Sequence, residues 1–181
     1  MTENDKTFQT VLEWVRTLAV AIIIAILFKV FIGDTTKVQG NSMNNTLHNN
    51  DLLFVDKISM NLSGIERSDI VIIDAPEEKG VKYIKRVIGL PGDKITIEDG
   101  KVYVNGNIYP EDYINTDYTE TTTQTKDWIL DDDQYFVMGD NRIPGQSNDS
   151  RSFGPIERKH IIGHAVFRIL PFGDFGFIGK A

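Results

Sequence analysis

Polar and apolar positions divide the chain into two textures. Residues 1–12 are polar and of mixed charge, and from Trp14 to Ile32 the sequence turns apolar. Within that window the eleven positions 18–28 carry no polar side chain, and Arg16 and Lys29 stand close to the two ends. As a helix, 14–32 would be about 28 Å long at about 1.5 Å per residue, against a hydrocarbon layer of roughly 30 Å. Basic side chains near its ends can reach the interface. The pattern predicts one membrane-spanning helix. A core helix would show a polar face, and eleven apolar positions leave none. A cleaved leader needs small residues after its apolar run, where this chain has Lys29, Val30, Phe31 and Ile32. Charge leaves the orientation open, because Lys6 and Arg16 before the span are balanced by Lys29 and Lys37 after it.

Beyond the span, short runs rich in Val, Ile, Phe and Tyr alternate with turn residues. Strands are predicted at 52–55, 70–73, 81–88, 94–97, 102–104, 134–137 and 161–169. The breaks between them are Pro76, Pro91-Gly92-Asp93, Asp99-Gly100 and Asn105-Gly106, the last making a hairpin turn. No further segment sustains a 3.6-residue period, so this part is mainly β, with curled or barrel-like sheets. Positions 115–126 hold six Thr and little that is apolar, which predicts an exposed excursion.

Composition narrows the function. Apolar residues make up 41% and charged residues 25% of 181, enough for one folded domain plus an accessory segment. A net charge of -7 with no basic stripe argues against nucleic acid. Cysteine is absent, so disulfides, Cys-ligated zinc and thiol catalysis are excluded.

Three stretches carry candidate chemistry. Ser42 sits in Gln39-Gly40-Asn41-Ser42-Met43-Asn44-Asn45-Thr46-Leu47, a turn-forming run that presents a hydroxyl beside free backbone N–H groups. Lys85 shares a strand face with Tyr83 and Val87, and Arg86 takes the opposite face with Ile84 and Ile88, so one of the two basic residues must face a buried side. A desolvated lysine loses its proton more easily and becomes a usable base, whereas an edge-strand lysine would only guard against aggregation. The third stretch is Gly139-Asp140-Asn141-Arg142 followed by Ser147 and Asp149-Ser150-Arg151, which could equally be a turn held by Asx bonds and exposed ion pairs.

Together, behind an apolar span and in this order, these blocks resemble the bacterial type I signal peptidases, membrane-anchored Ser/Lys endopeptidases. The run Lys85-Arg86-Val87-Ile88-Gly89-Leu90-Pro91-Gly92-Asp93 is the most specific of them. The resemblance implies a coiled antiparallel β-sheet catalytic domain at 34–181 outside the cell membrane, with a cytosolic N-terminus and a single-pass anchor at 1–33. It implies removal of N-terminal signal peptides from exported preproteins after small residues, with no metal or cofactor. Its partners would be preprotein signal peptides and membrane lipid. Ser42 would be the nucleophile and Lys85 the general base. Ser147 would orient the lysine amine, Asp140 with Arg86 and Asp149 with Arg151 would be supporting pairs, and Met43 would wall the substrate site.

Three positions depart from the family's pattern. Asn45 stands where proline is usual, predicting a looser nucleophile turn. Residues 143–146 lengthen the connection to Ser147, with Pro144-Gly145 predicting a surface bulge. Gly40 has no side chain to donate to an oxyanion, leaving backbone N–H groups, that of Ser42 included. A self-cleaving repressor-type protease shares the Ser/Lys arrangement, but this chain has an apolar span and no DNA-binding domain. A catalytically silent β-domain that binds exported chains is the reading from another class, and only Asn45 favours it.

Other candidates are weaker. His160 and His164 would suit a metal only on a helix, and on a strand they stand about 13 Å apart. Asp131-Asp132-Asp133 lacks the alternating ligands and glycine of a calcium loop. His48 is near Ser42 in sequence, but no Asp partner for a triad is evident.

Overall fold

The computed structural model describes residues 3–31, 33–121 and 123–179. Ile32 at the end of the predicted span, Thr122 in the Thr-rich segment, and Met1 and Ala181 at the limits of the predicted domains lie outside the described residues. Helix α1 runs Glu3–Phe31, reaching further towards the N-terminus than the apolar window. Nothing stops it earlier, since the first glycine of the chain is Gly33 and the first proline is Pro76. Its part long and apolar enough to cross a membrane is Gln9–Leu27, and none of that stretch is buried against the rest of the chain. The core-helix reading is thereby removed.

Among the described residues twelve strands follow: β1 Gly33–Lys37, β2 Leu52–Asp56, β3 Ile70–Asp74, β4 Lys82–Gly89, β5 Lys94–Glu98, β6 Lys101–Val104, β7 Asn107–Ile108, β8 Asp127–Ile129, β9 Gln134–Met138, β10 Ile156–Glu157, β11 Ile161–Leu170 and β12 Gly176–Phe177. Two four-residue helices, α2 Ser59–Leu62 and α3 Ser150–Phe153, are inserted. The main sheet has the order β1-β2-β11-β3-β4-β9-β10, with β12 also on β11, and a smaller sheet has the order β7-β6-β5-β8. Every neighbouring pair is antiparallel. Register shifts in β11 and between Val87 and Gly89 of β4 add residues on one strand only. Such bulges bend a strand and increase its twist, which curls the sheet.

Strand β3 shows why the domain holds together. Ile70 and Ile72 pack with Val38, Met43, Leu47 and Leu53 on one side, while Val71 and Ile73 pack with Val87, Val137 and Ile161 on the other. Alternation therefore feeds two cores from one strand. Because the sheet is covered on both faces here, the adjacent Lys85 and Arg86 are both buried, at 2% and 1% exposure. The sequence required only one of them to be.

Candidate active site

The loop from Val38 to Asp51 is closed at its base by Val38 N–H to Asp51 O at 2.8 Å and Asn50 N–H to Val38 O at 2.9 Å. Its tip is a helix-like turn in which the Met43 carbonyl accepts from Thr46 N at 3.1 Å and Leu47 N at 2.8 Å. Met43 and Leu47 are fully buried and seat the turn in the core. Asn45 has a φ of 90°, a left-handed backbone that asparagine tolerates and the fixed ring of proline cannot adopt. The substitution expected to loosen the turn thus sits between two closing hydrogen bonds. Among the described residues the backbone N–H groups of Ser42 and Met43 have no acceptor, as in the first turn of any helix.

Lys85 Nζ lies 2.9 Å from Ser42 Oγ. Burial pushes the lysine pKa down from 10.5 to about 8 against the opposing charge of Asp149, while Arg151 adds to the lowering. At about 8, roughly one amine in ten is neutral at pH 7, against about one in 2,500 for an unperturbed lysine. The Tyr83 ring, 5.0 Å from the amine, and buried Val87 on the same strand face help to exclude water. A hydroxyl in contact with a readily deprotonated amine is what acyl-transfer chemistry needs.

Arg86 points the other way, giving Nε to Asp140 Oδ1 at 2.9 Å and Nη2 to Asp140 Oδ2 at 2.7 Å. Asp140 also accepts from the Thr46 hydroxyl at 2.5 Å, so this buried pair grips the turn carrying Ser42. Asp149 accepts from Arg151 Nη2 at 2.7 Å, from Gly139 N at 3.0 Å and from Ser147 Oγ at 2.7 Å. Burial works against its carboxylate, but the hydrogen bond and charge of Arg151 outweigh it and hold the pKa below the usual range. Gly139 lies between these parts. A Cβ on it would come 2.3 Å from both Ser147 Oγ and Ser42 O, so only glycine fits.

Ser147 is buried beside Gly139 and Asp149. Its hydroxyl donates to Asp149, and among the described residues no hydrogen bond joins it to Lys85. Ser147→Ala would remove one of several donors to Asp149, a change of about 0.5–1.5 kcal/mol. The expected result is a loss of up to about tenfold in kcat with an unmoved acidic limb in the pH–rate profile. A downward shift of that limb would instead show that Ser147 holds the amine directly.

Most of the described Thr-rich segment is exposed, as its composition predicts, but part of it is bonded into the site. Thr119 is 1% exposed and accepts from Arg142 Nη1 at 2.8 Å. The Asn115 side chain accepts from Arg142 N at 3.0 Å and donates to Asn141 Oδ1 at 2.8 Å, and Glu120 O accepts from Arg151 Nη1 at 3.2 Å. The segment therefore folds back onto the loop at 139–151. Arg142 is fully buried and paired with Glu111. Asn141 joins both sides, giving its N–H to Ser42 O at 3.0 Å and Nδ2 to Asn41 O at 2.9 Å. No local pattern advertises these contacts, since polar residues look alike on a surface and in a buried network.

The remaining candidates stay apart from the dyad. His48 is exposed and its N–H bonds Asp51. His164 is on β11 against Asp69, His160 precedes that strand, and Asp131-Asp132-Asp133 is an exposed turn before β9. Among the described residues no group of three or more His, Asp or Glu could hold a metal. Residues 143–146 form an exposed turn closed by Gln146 N to Ile143 O at 3.0 Å, with Gly145 at φ 76°.

A groove of about 480 Å³ runs past Ser42, lined by Val38, Met43, Ile72, Val81, Tyr83 and Ile84 among others. The sequence model of the family described as signal peptidase, peptidase S26, matches residues 11–170. Signal peptidase I of Bacillus licheniformis is 38% identical over 184 residues, covering 96% of this chain and 97% of that protein. Signal peptidase IB of Staphylococcus aureus strain COL is 35% identical over 180 residues, covering 91% and 92%. A crystal structure of a signal peptidase I from Enterococcus faecalis V583 is 32% identical and covers 55% of this chain and 95% of its own, with a TM-score of 0.47. With nearly its whole length matched in this way, the chain belongs to the signal peptidase family, peptidase S26, and is a serine endopeptidase.

Proposed function

We propose that this chain is a single-pass membrane signal peptidase that cuts exported preproteins with a Ser42/Lys85 dyad. The observation that carries the reading is the 2.9 Å contact between Ser42 Oγ and a buried Lys85 Nζ whose pKa is pushed down to about 8. Neutral Lys85 takes the Ser42 proton as Oγ attacks the scissile carbonyl. The oxyanion is received by the unpartnered N–H of Ser42, where preorganised donors lower the barrier most. The lysine ammonium then protonates the leaving amine, and the same amine activates the water that releases the acyl group. Asp149 with Arg151, and Asp140 with Arg86, keep the loop at 139–151 and the nucleophile turn in place. Met43, with Val38 and Ile72, gives the apolar part of the groove beside Ser42, whose lining also includes Thr35, Thr36, Lys37, Gln39 and Lys82. Apolar pockets within that groove would select small side chains by steric exclusion.

Residues 1–33 are the cytosolic N-terminus and anchor, 34–181 form the peptidase domain outside, and membrane lipid is the anchor's partner. Two experiments test this. Reconstituted protein given a labelled preprotein should cleave it in trans after a small residue; self-cleavage alone, or binding without turnover, would contradict the reading. Protease added to intact protoplasts should digest the C-terminal domain, and a protected domain would reverse the topology.

A further inference from the structure

We propose that Asn115, in the Thr-rich segment, is a positioning residue that aims the oxyanion-binding N–H of Ser42. The argument starts from the peptide group. It is planar and rigid, so a bond that holds the carbonyl of residue 41 also fixes the direction of the N–H of residue 42 on the opposite edge. The Asn41 carbonyl accepts from Asn141 Nδ2 at 2.9 Å and from Asn44 N at 3.1 Å, while Asn141 N holds the next carbonyl, that of Ser42, at 3.0 Å. The two peptide planes flanking Ser42 are thus both held by Asn141.

An amide side chain can hold a carbonyl only while its NH2 end faces it, and turning it over would set oxygen against oxygen. Two groups prevent that. Asn141 Oδ1 accepts from Ile143 N at 3.2 Å and from Asn115 Nδ2 at 2.8 Å. Asn115 is itself fixed, because its Oδ1 accepts from Arg142 N at 3.0 Å. Backbone N–H groups only donate, so Arg142 N and Ile143 N set the orientation of both amides without ambiguity. The chain of orientation runs from Arg142 N through Asn115 and Asn141 to the peptide that carries the Ser42 N–H. Neither Asn115 nor Asn141 lines the groove or bonds Lys85, so their effect belongs on transition-state stabilisation and not on ground-state binding.

The inference rests on Ser42 as nucleophile, and its test separates the two. Full-length Asn115→Asp, Asn115→Ala, Ser42→Ala and the control Thr116→Ala are compared in lipid vesicles with a labelled preprotein. A peptide aldehyde ending in a small residue, whose adduct with a serine is tetrahedral, is the second probe. In Asn115→Asp one oxygen still accepts from Arg142 N, but the other presents only lone pairs to Asn141 Oδ1 and favours the turned-over amide. Asn115→Ala removes the orienting donor without adding charge. Both are expected to lower kcat by about 10- to 100-fold, a misaimed donor costing less than the roughly 10²–10³ of a deleted one. KM and the acidic limb should be unchanged, aldehyde affinity should fall by a similar factor, and Thr116→Ala should match the parent.

Parental kcat in folded Asn115 variants, a loss confined to KM, or unchanged aldehyde binding would overturn the role of Asn115 while an inactive Ser42→Ala leaves the dyad standing. Active Ser42→Ala would remove both. Loss of the fold in both Asn115 variants would also overturn the proposal, making Asn115 a stability residue.

Discussion

Replacing Ser42 with alanine is expected to lower kcat/KM for preprotein cleavage by about 10⁴-fold or more, the scale on which removing a nucleophile acts. Folding should survive. Ser42 is half-buried in a turn, and among the described residues its hydroxyl is bonded to Lys85 alone. The turn is seated by Met43 and Leu47 and closed by backbone bonds that the substitution leaves in place. The loss of one hydrogen bond amounts to about 1 kcal/mol. Near-parental activity in Ser42→Ala would show that another hydroxyl attacks, and Ser147, buried beside Gly139, and Ser150, buried with its hydroxyl on Val137 N, would be the first to examine.

The second large effect is at Lys85, where activity and stability should move in opposite directions. Lys85→Met should reduce turnover to background, since methionine offers no base. It should also stabilise the fold. Burial holds the folded pKa at about 8, below the ordinary 10.5, so a protonated Lys85 opposes folding by about 3 kcal/mol at pH values below 8. Between pH 8 and about 10.5 the folded protein carries a neutral amine while the unfolded chain still binds the proton, so the stability of the parent rises with pH there. The advantage of Lys85→Met should therefore be full at pH 7 and fade as pH rises towards 10.5. Denaturant midpoints for both proteins across pH 7 to 10.5 check this, and a constant gap would mean the amine is not desolvated as the structure places it. Lys85→Arg keeps the charge, cannot deprotonate usefully, and should be nearly inactive.

How much of this could be read from the residues depends on what pattern each leaves. Strands β3, β4 and β11 were legible because runs rich in β-branched residues, bounded by turn residues, announce a strand, and their limits fell within a residue of prediction. Strand β1, Gly-Asp-Thr-Thr-Lys, carries no such signal. It exists because its backbone pairs with β2 from Gly33↔Asp56 to Lys37↔Leu52. The two- and three-residue strands β7, β8, β10 and β12 are too short for a period to show, though the Asn105-Gly106 turn revealed the hairpin joining β6 to β7.

At the site, the types of residue and their order suggested Ser42 and Lys85. That both Lys85 and Arg86 would be buried depends on coverage of both sheet faces, which one strand's pattern cannot show. The Asn115 to Asn141 contact links residues 26 apart in sequence through two amides that would look at home on any surface.

The central claim is that the Lys85 amine is the base, and the absence of cysteine from the natural chain allows a direct test. Lys85→Cys places the only thiol in the protein at that position, and alkylation with a 2-haloethylamine rebuilds a lysine-like side chain whose thioether lowers the basicity of the amine. Treatment with a neutral haloethane provides the control. The account predicts an inactive Lys85→Cys, recovery of cleavage only with the aminoethyl group, and an acidic limb of kcat/KM displaced to lower pH than in the parent. Recovery with the neutral ethyl group, or an aminoethyl enzyme whose acidic limb has not moved, would contradict it.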